Sequence, residues 1–225
     1  LDLSFNQLRH CLIGLDLPQL EELYYVNNKI KKIDAGAFDH LPRLTMLELG
    51  SNRIREIENL EPLVQLEQLW LGTNKITQIK NLDHFVNLQK LSIQCNRLVK
   101  MEGLSHLINL TELYLSENGI ERIEGLENLV NLKVLDVAVN RLRKFENIEH
   151  LQQLEEFWAN DNLIESFEEL SILAKLPVLD AVFLQRNKIE SDPQYKRKVV
   201  LMLPQITQLD GFPLMRNNLL LNQNK

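Results

Sequence analysis

The chain has 225 residues, 44% of them hydrophobic and 25% charged, with a formal net charge of −6 and a pI near 5.5. That acidity disfavours nucleic acid as a partner, because phosphate binding needs clustered lysine and arginine. No apolar stretch approaches the roughly 18 residues of a membrane span, and the only cysteines, Cys11 and Cys95, are far apart, so the chain reads as intracellular and reduced.

One phrase, Leu-x-x-Leu-x-Leu-x-x-Asn, recurs along almost the whole chain. Its first copy is partial, Leu1-Asp2-Leu3-Ser4-Phe5-Asn6, so the chain is expected to start partway through a unit. The closing asparagines are Asn6, Asn28, Asn52, Asn74, Asn96, Asn118, Asn140, Asn162 and Asn187, at steps of 22, 24, 22, 22, 22, 22, 22 and 25 residues. This is the period and consensus of a leucine-rich repeat. The predicted fold is an α/β leucine-rich-repeat solenoid over residues 1–190, with about nine units of 22–25 residues.

Within a unit, Leu-x-Leu predicts a short strand and the asparagine a turn. An Ile-x-x-Ile phrase, as at Ile54 and Ile57 or Ile120 and Ile123, returns along the outer side, and Leu-x-x-Leu leads into the next strand. Units this short leave room outside for bends or 3₁₀ turns, hardly for long helices. The strands are expected to stack parallel into one concave sheet. Each asparagine amide carries both donors and an acceptor, so nine aligned copies predict a ladder of buried, satisfied amides. The outer segment is two residues longer between Asn28 and Asn52 and three longer between Asn162 and Asn187. In the second case a short helix is predicted over 167–175.

After Asn187 the repeat stops. Asp192-Pro193 predicts a helix start, with an N-cap acceptor and then proline at the first helical position. Tyr195, Val199, Met202 and Leu203 fall on one face, Pro204 ends the helix, and Ile206 and Leu209 make a last pseudo-strand before Asp210-Gly211. Residues 191–214 therefore read as a C-terminal helical cap over the last unit's core, and 215–225 as a flexible tail.

Side chains alternate across a strand, so the residue between the two leucines of Leu-x-Leu points out of the concave face. That position holds Asp2, Tyr24, Glu48, Trp70, Ser92, Tyr114, Asp136, Trp158 and Phe183. Five of these nine are aromatic in a chain that is 6% aromatic, and both tryptophans are among them. The core does not need them, so a row of exposed rings reads as a protein interface. The residue two before each also faces out, and the two columns together hold six acids (Asp2, Glu22, Glu48, Glu112, Asp136, Glu156) against one base, Lys90. The expected partner presents basic and apolar groups.

Other chemistry finds little support. His40, His84, His106 and His150 recur at one repeat position rather than clustering, so no metal site is expected. Asn109-Leu110-Thr111 matches a glycosylation sequon, but Asn-Leu is itself a repeated pair, as at Asn87 and Asn131. The run Lys196-Arg197-Lys198 reads as the solvated face of the cap helix. There is no glycine-rich phosphate loop, no His-Glu-x-x-His and no nucleophile motif. The reading is a non-enzyme with no cofactor.

The 22-residue units, the phrases Leu47-Glu48-Leu49-Gly50-Ser51-Asn52-Arg53-Ile54 and Asn118-Gly119-Ile120-Glu121, the segment Glu156-Phe157-Trp158 and the ending Asp192-Pro193-Gln194-Tyr195-Lys196-Arg197-Lys198-Val199 carry a resemblance. Over residues 1 to about 210 the chain resembles the leucine-rich-repeat regulatory subunits of protein phosphatase 1, the sds-twenty-two type. The resemblance implies a non-catalytic partner that holds the phosphatase catalytic subunit on its concave face, often with inhibitor-3 in a ternary complex. It implies a role in phosphatase maturation, targeting and mitosis, in nucleus and cytoplasm. The family's contact positions fall on Asp2, Tyr24, Glu48, Trp70, Asp136, Glu156, Trp158 and Phe183, and the outward column adds Tyr114. The short Arg/Lys-Val/Ile-x-Phe/Trp string by which many regulators dock is missing, since Lys198-Val199-Val200-Leu201 lacks the aromatic. The concave face is then the expected contact. The alternative is a scaffold for another protein, since splicing and cytoskeletal or ciliary proteins share the repeat and the cap.

Overall fold

The computed structural model describes residues 1–214; the expected tail, 215–225, lies outside them. Among the described residues ten strands form one sheet in sequence order. They are β1 (Glu22–Tyr24), β2 (Met46–Glu48), β3 (Gln68–Trp70), β4 (Lys90–Ser92), β5 (Glu112–Tyr114), β6 (Val134–Asp136), β7 (Glu156–Trp158), β8 (Ala181–Phe183), β9 (Gln208–Leu209) and β10 (Phe212–Pro213). Neighbours from β1 to β9 pair parallel and in register, Leu23 beside Leu47 beside Leu69 and so on, while β10 folds back antiparallel on β9. The first unit contributes one parallel bridge, Asp2 to Tyr24. Among the described residues no helix is long and apolar enough to cross a membrane.

A strand three residues long is stable here because its middle residue is wholly buried, as at Leu23, Leu47, Leu69, Leu91, Leu113, Leu135, Phe157 and Val182. The Ile-x-x-Ile residues are buried with them. The outer side turns through two successive bonds per unit, such as Leu63 N–H to Leu60 O (3.0 Å) and Leu66 N–H to Leu63 O (3.1 Å). The extra residues between Asn28 and Asn52 are absorbed outside, where Ala37 and Phe38 are buried, and β1–β2 register is unbroken. The longer segment after Asn162 winds into a 3₁₀ turn, Phe167–Glu169, and then α1 (Leu170–Leu173).

The asparagine ladder forms. Asn140 donates to Leu115, Val137 and Ala138 carbonyls at 3.0, 3.1 and 3.0 Å, and accepts from Ile120 N–H at 2.9 Å. It is buried unevenly: Asn28, Asn52, Asn74, Asn140, Asn162 and Asn187 are buried, Asn96 and Asn118 are half-buried, and Asn6 is exposed. A second ladder was not legible in the sequence. Asn59, Asn81 and Asn147, all left-handed, donate to Ile33, Ile57 and Ile123 carbonyls at 2.7–2.8 Å on the outer side.

The residue before each ladder asparagine is also left-handed, and one of these is Val139 at φ 52°. A β-branched residue is strained there, and it persists because bonds on both sides over-determine the turn. Asn27 occupies the equivalent position at φ 54°. Val139→Asn is therefore expected to raise the unfolding free energy by about 1 kcal/mol, read as a higher urea midpoint. An unchanged or lower midpoint would show that the half-exposed valine packs well enough to offset its strain.

The cap differs from expectation in one detail. Helix α2 spans Tyr195–Met202, so it begins two residues after Pro193. A 3₁₀ turn over Lys188–Ser191 runs up to Asp192, leaving Pro193 in the linking turn. Asp192 still serves the start, accepting Gln194 N–H on its carboxylate (2.7 Å) and Tyr195 N–H on its carbonyl (2.9 Å). Tyr195, Val199 and Leu203 are buried as the spacing requires, while Met202 on the same predicted face is half-buried. Asp210 takes the place of a tenth ladder residue, accepting Leu184 and Gln185 N–H at 2.8 and 3.0 Å and the Tyr195 hydroxyl at 2.9 Å. Burial and the Asp210 charge push the Tyr195 phenol up. Strand β10 was not anticipated.

Candidate protein-binding face

The register places the outward residues in two straight columns. One runs Tyr24, Glu48, Trp70, Ser92, Tyr114, Asp136, Trp158, Phe183; the other runs Glu22, Met46, Gln68, Lys90, Glu112, Val134, Glu156, Ala181. In the first column small side chains alternate with rings from Trp70 to Trp158, with Phe183 directly beside Trp158, and the rings lean across the small residues. Trp70 stacks on Tyr114 with centroids 6.1 Å apart and planes at 23°, above Ser92. Tyr114 meets Trp158 at 6.3 Å and 65°, above Asp136, and Trp158 meets Phe183 at 5.4 Å and 58°. The result is one aromatic ledge over six strands.

The rings were expected to be exposed. They are half-buried, because each covers its neighbour, while Ser92 and Asp136 beneath them are 2% exposed. Asp136 thus departs from its expected role as an outward acid for the partner. Its carboxylate accepts Gln94 Nε2 at 2.9 Å and Ala138 N–H at 3.0 Å, and Gln94 also donates to Ser116 at 3.0 Å. Asp2 and Glu48 make the same turn bond, to Ser4 N–H (2.8 Å) and Gly50 N–H (2.6 Å). A Cβ at residue 50 would lie 2.5 Å from the Glu48 carboxylate, so glycine lets that side chain curl back.

The acids of the other column hold the rings. Tyr24 donates to Glu22 at 2.8 Å, Tyr114 to Glu112 at 2.8 Å and the Trp158 indole to Glu156 at 3.0 Å. Each pair fixes an amphipathic ring by its polar tip. The signal was in the sequence, as Glu-Leu-Tyr at 22–24 and 112–114 and Glu-Phe-Trp at 156–158. Lys90, the one base of the two columns, pairs with Glu112 at 2.9 Å. Tyr24, Glu48 and Asp2 stand apart from the ledge at the N-terminal end; no ring contact joins Tyr24 to Trp70 among the described residues. Of the histidines, His84 and His150 bond Leu60 and Leu126 carbonyls of the preceding unit at 3.2 and 2.8 Å, a structural use of that repeat position.

Burial raises the carboxyl pKa of Asp136, against its hydrogen bonds, and burial likewise raises that of Glu48 against the Gly50 N–H. A raised folded value means the protonated acid is favoured in the folded state. The associated stability is complete below the ordinary value of 3.8 for Asp136 and is lost as pH rises through the folded value. Asp136→Asn keeps the Ala138 bond and removes the charge. Its unfolding free energy should therefore fall less than the parent's as pH is raised from about 4 towards neutral. Parallel pH curves for the two proteins in urea titrations would contradict a costly buried charge at this position.

The family description "Leucine rich repeat" matches residues 18–76, and "Leucine Rich repeats (2 copies)" matches 86–128 and 108–152, together more than half of the chain. A protein phosphatase 1 regulatory inhibitor subunit PPP1R7 homolog of Arabidopsis thaliana is 44% identical over 68 residues, 29% of this chain and 20% of that protein. A probable U2 small nuclear ribonucleoprotein A′ of Drosophila melanogaster is 39% identical over 64 residues, 28% of this chain and 24% of that protein. The match thus spans a quarter or less of either curated relative. A crystal structure of an internalin from Listeria monocytogenes superposes with a TM-score of 0.75 at 26% identity, over 91% of this chain and 59% of that one.

Proposed function

This chain belongs to the leucine-rich-repeat family, and we propose that it is a non-catalytic regulatory subunit that holds the protein phosphatase 1 catalytic subunit on its concave face. The observation that carries the reading is the ledge of Trp70, Tyr114, Trp158 and Phe183, pre-set by mutual stacking and by carboxylates at the polar tips. Rings already held in place lose little freedom on binding, so more of their contact energy reaches the affinity. The matched segment of the Arabidopsis relative, named as a phosphatase-1 regulatory subunit homolog, supports the same partner.

In this reading Trp70, Tyr114, Trp158 and Phe183 anchor apolar patches of the phosphatase. Glu156, with Glu22 and Glu112 around the rings, meets its lysines and arginines, and Tyr24, Glu48 and Asp2 extend the contact at the N-terminal end. Asp136 acts from below, by holding the strand-end turn. Inhibitor-3 is a third component in this proposal, and the setting is nucleus and cytoplasm, where the scaffold governs phosphatase maturation, targeting and mitotic action. Calorimetry of the purified chain against the phosphatase catalytic subunit tests it. Saturable one-to-one binding is expected. A folded chain that takes up no phosphatase would instead favour a scaffold in a splicing particle, the reading that the Drosophila match supports.

A further inference from the structure

A second surface lies on the turn rim. The residue after each ladder asparagine, and the one two further on, are Lys29 and Lys31, Arg53 and Arg55, Lys75 and Thr77, Arg97 and Val99 in four successive units. These positions hold six cations and no acid. The units are locked together at this rim by backbone bonds, Arg53 N–H to Ile30 O (2.8 Å), Lys75 N–H to Ile54 O (2.8 Å) and Arg97 N–H to Ile76 O (2.9 Å), so Lys29, Arg53, Lys75 and Arg97 form a row. None of the six side chains has an ion-pair partner among the described residues. Two acids of these units are already paired: Asp34 with Lys32 and His10, and Glu56 with Lys80.

The same rim in the C-terminal half is different. There Arg141 pairs with Glu121, and Arg143 and Lys188 pair with Glu165. A row of unpaired cations in a chain of net charge −6 repels itself and is left uncompensated within the described residues, whereas the other half is neutralised internally.

We propose that this N-terminal rim binds a short acidic segment of a protein partner in extended form. Three strand spacings give a row of roughly 14 Å, the length of about four or five extended residues. A longer polyanion would run on into Glu117 and Glu121. No aromatic ring stands among the rim residues 29–32, 53–56, 75–78 and 97–100, so there is nothing on which nucleic acid bases could stack. These two facts favour a peptide over nucleic acid. The rim is separate from the concave ledge, and the proposal does not depend on the identity of the partner held there.

The test is fluorescence anisotropy of a labelled hexaglutamate peptide with the whole chain at about 50 mM salt, where surface charge is weakly screened. Binding is expected, weakening as salt is raised. The exposed-rim variant Arg53→Glu/Lys75→Glu should lose about tenfold or more in affinity, while Arg141→Glu/Lys188→Glu on the other half of the rim keeps the parent value. Circular dichroism checks that each variant is folded. Absence of binding by the folded parent overturns the proposal, as does an equal loss in both variants. A hexauridylate RNA that displaces the peptide at lower concentration than unlabelled hexaglutamate does would replace it with nucleic acid binding.

Discussion

Trp158→Ala is expected to weaken binding of the phosphatase catalytic subunit by about 2 kcal/mol or more, roughly thirtyfold in Kd. Trp158 touches rings on both sides, Tyr114 and the adjacent Phe183, and also donates a hydrogen bond to Glu156. Its removal therefore loses its own contact area and loosens Tyr114 and Phe183, and it opens the cover over Asp136. The fold should barely notice, because the core at that strand is made by Phe157, which is wholly buried. The informative result is thus a loss of affinity with little change in the urea midpoint. A loss below about 0.5 kcal/mol would remove Trp158 from the centre of any interface. A large loss accompanied by unfolding would make the ring a structural element instead. Phe183→Tyr gives a useful contrast, since Phe183 has no acid two residues before it and so lacks the partner that holds the other polar tips.

Asn140→Ala is expected to cost about 3 kcal/mol of stability or more, since it strands several buried polar groups at once. The amide satisfies three carbonyls, two in its own unit and one, Leu115, in the unit before, and accepts the Ile120 N–H. Alanine can replace none of these bonds, and water cannot easily enter between stacked units. In a solenoid each unit packs only on its neighbours, so a weakened central joint also lowers cooperativity. The expected readout is a lower urea midpoint together with a shallower transition. Asn6→Ala is the control: Asn6 occupies the same repeat position, but it is exposed and bonds only Leu3 and Ser4 within its own unit. Its loss should stay below about 0.5 kcal/mol. Equal effects at the two positions would refute the idea that joining units, rather than shaping the turn, is what the ladder does.

Much of this architecture is legible from spacing alone. A 22-residue period with leucines at fixed offsets leaves one way to bury them, so the strand positions, their parallel order and the buried Ile-x-x-Ile pairs follow directly. The cap helix is legible for the same reason: Tyr195, Val199 and Leu203 fall on one face and are buried. Its start is misread by two residues because the 3₁₀ turn over Lys188–Ser191 uses the chain before Asp192. The outer ladder of Asn59, Asn81 and Asn147 is missed because glycine replaces asparagine at Gly103 and Gly125, which breaks the pattern that a reader of one sequence can see.

By itself, then, the sequence determines which residues face the concave side, because alternation along a strand is a local property of the backbone. It does not determine which of them a partner can reach. Asp136 and Glu156 both stand at outward positions, yet Asp136 is sealed and Glu156 is half-open at the edge of the ledge. The difference comes from Tyr114 and Trp158, whose rings meet across the intervening strand. Only the register of the stacked strands brings side chains 44 residues apart in the sequence within ring contact. It does so because large rings on every second strand can close over the small side chain between them.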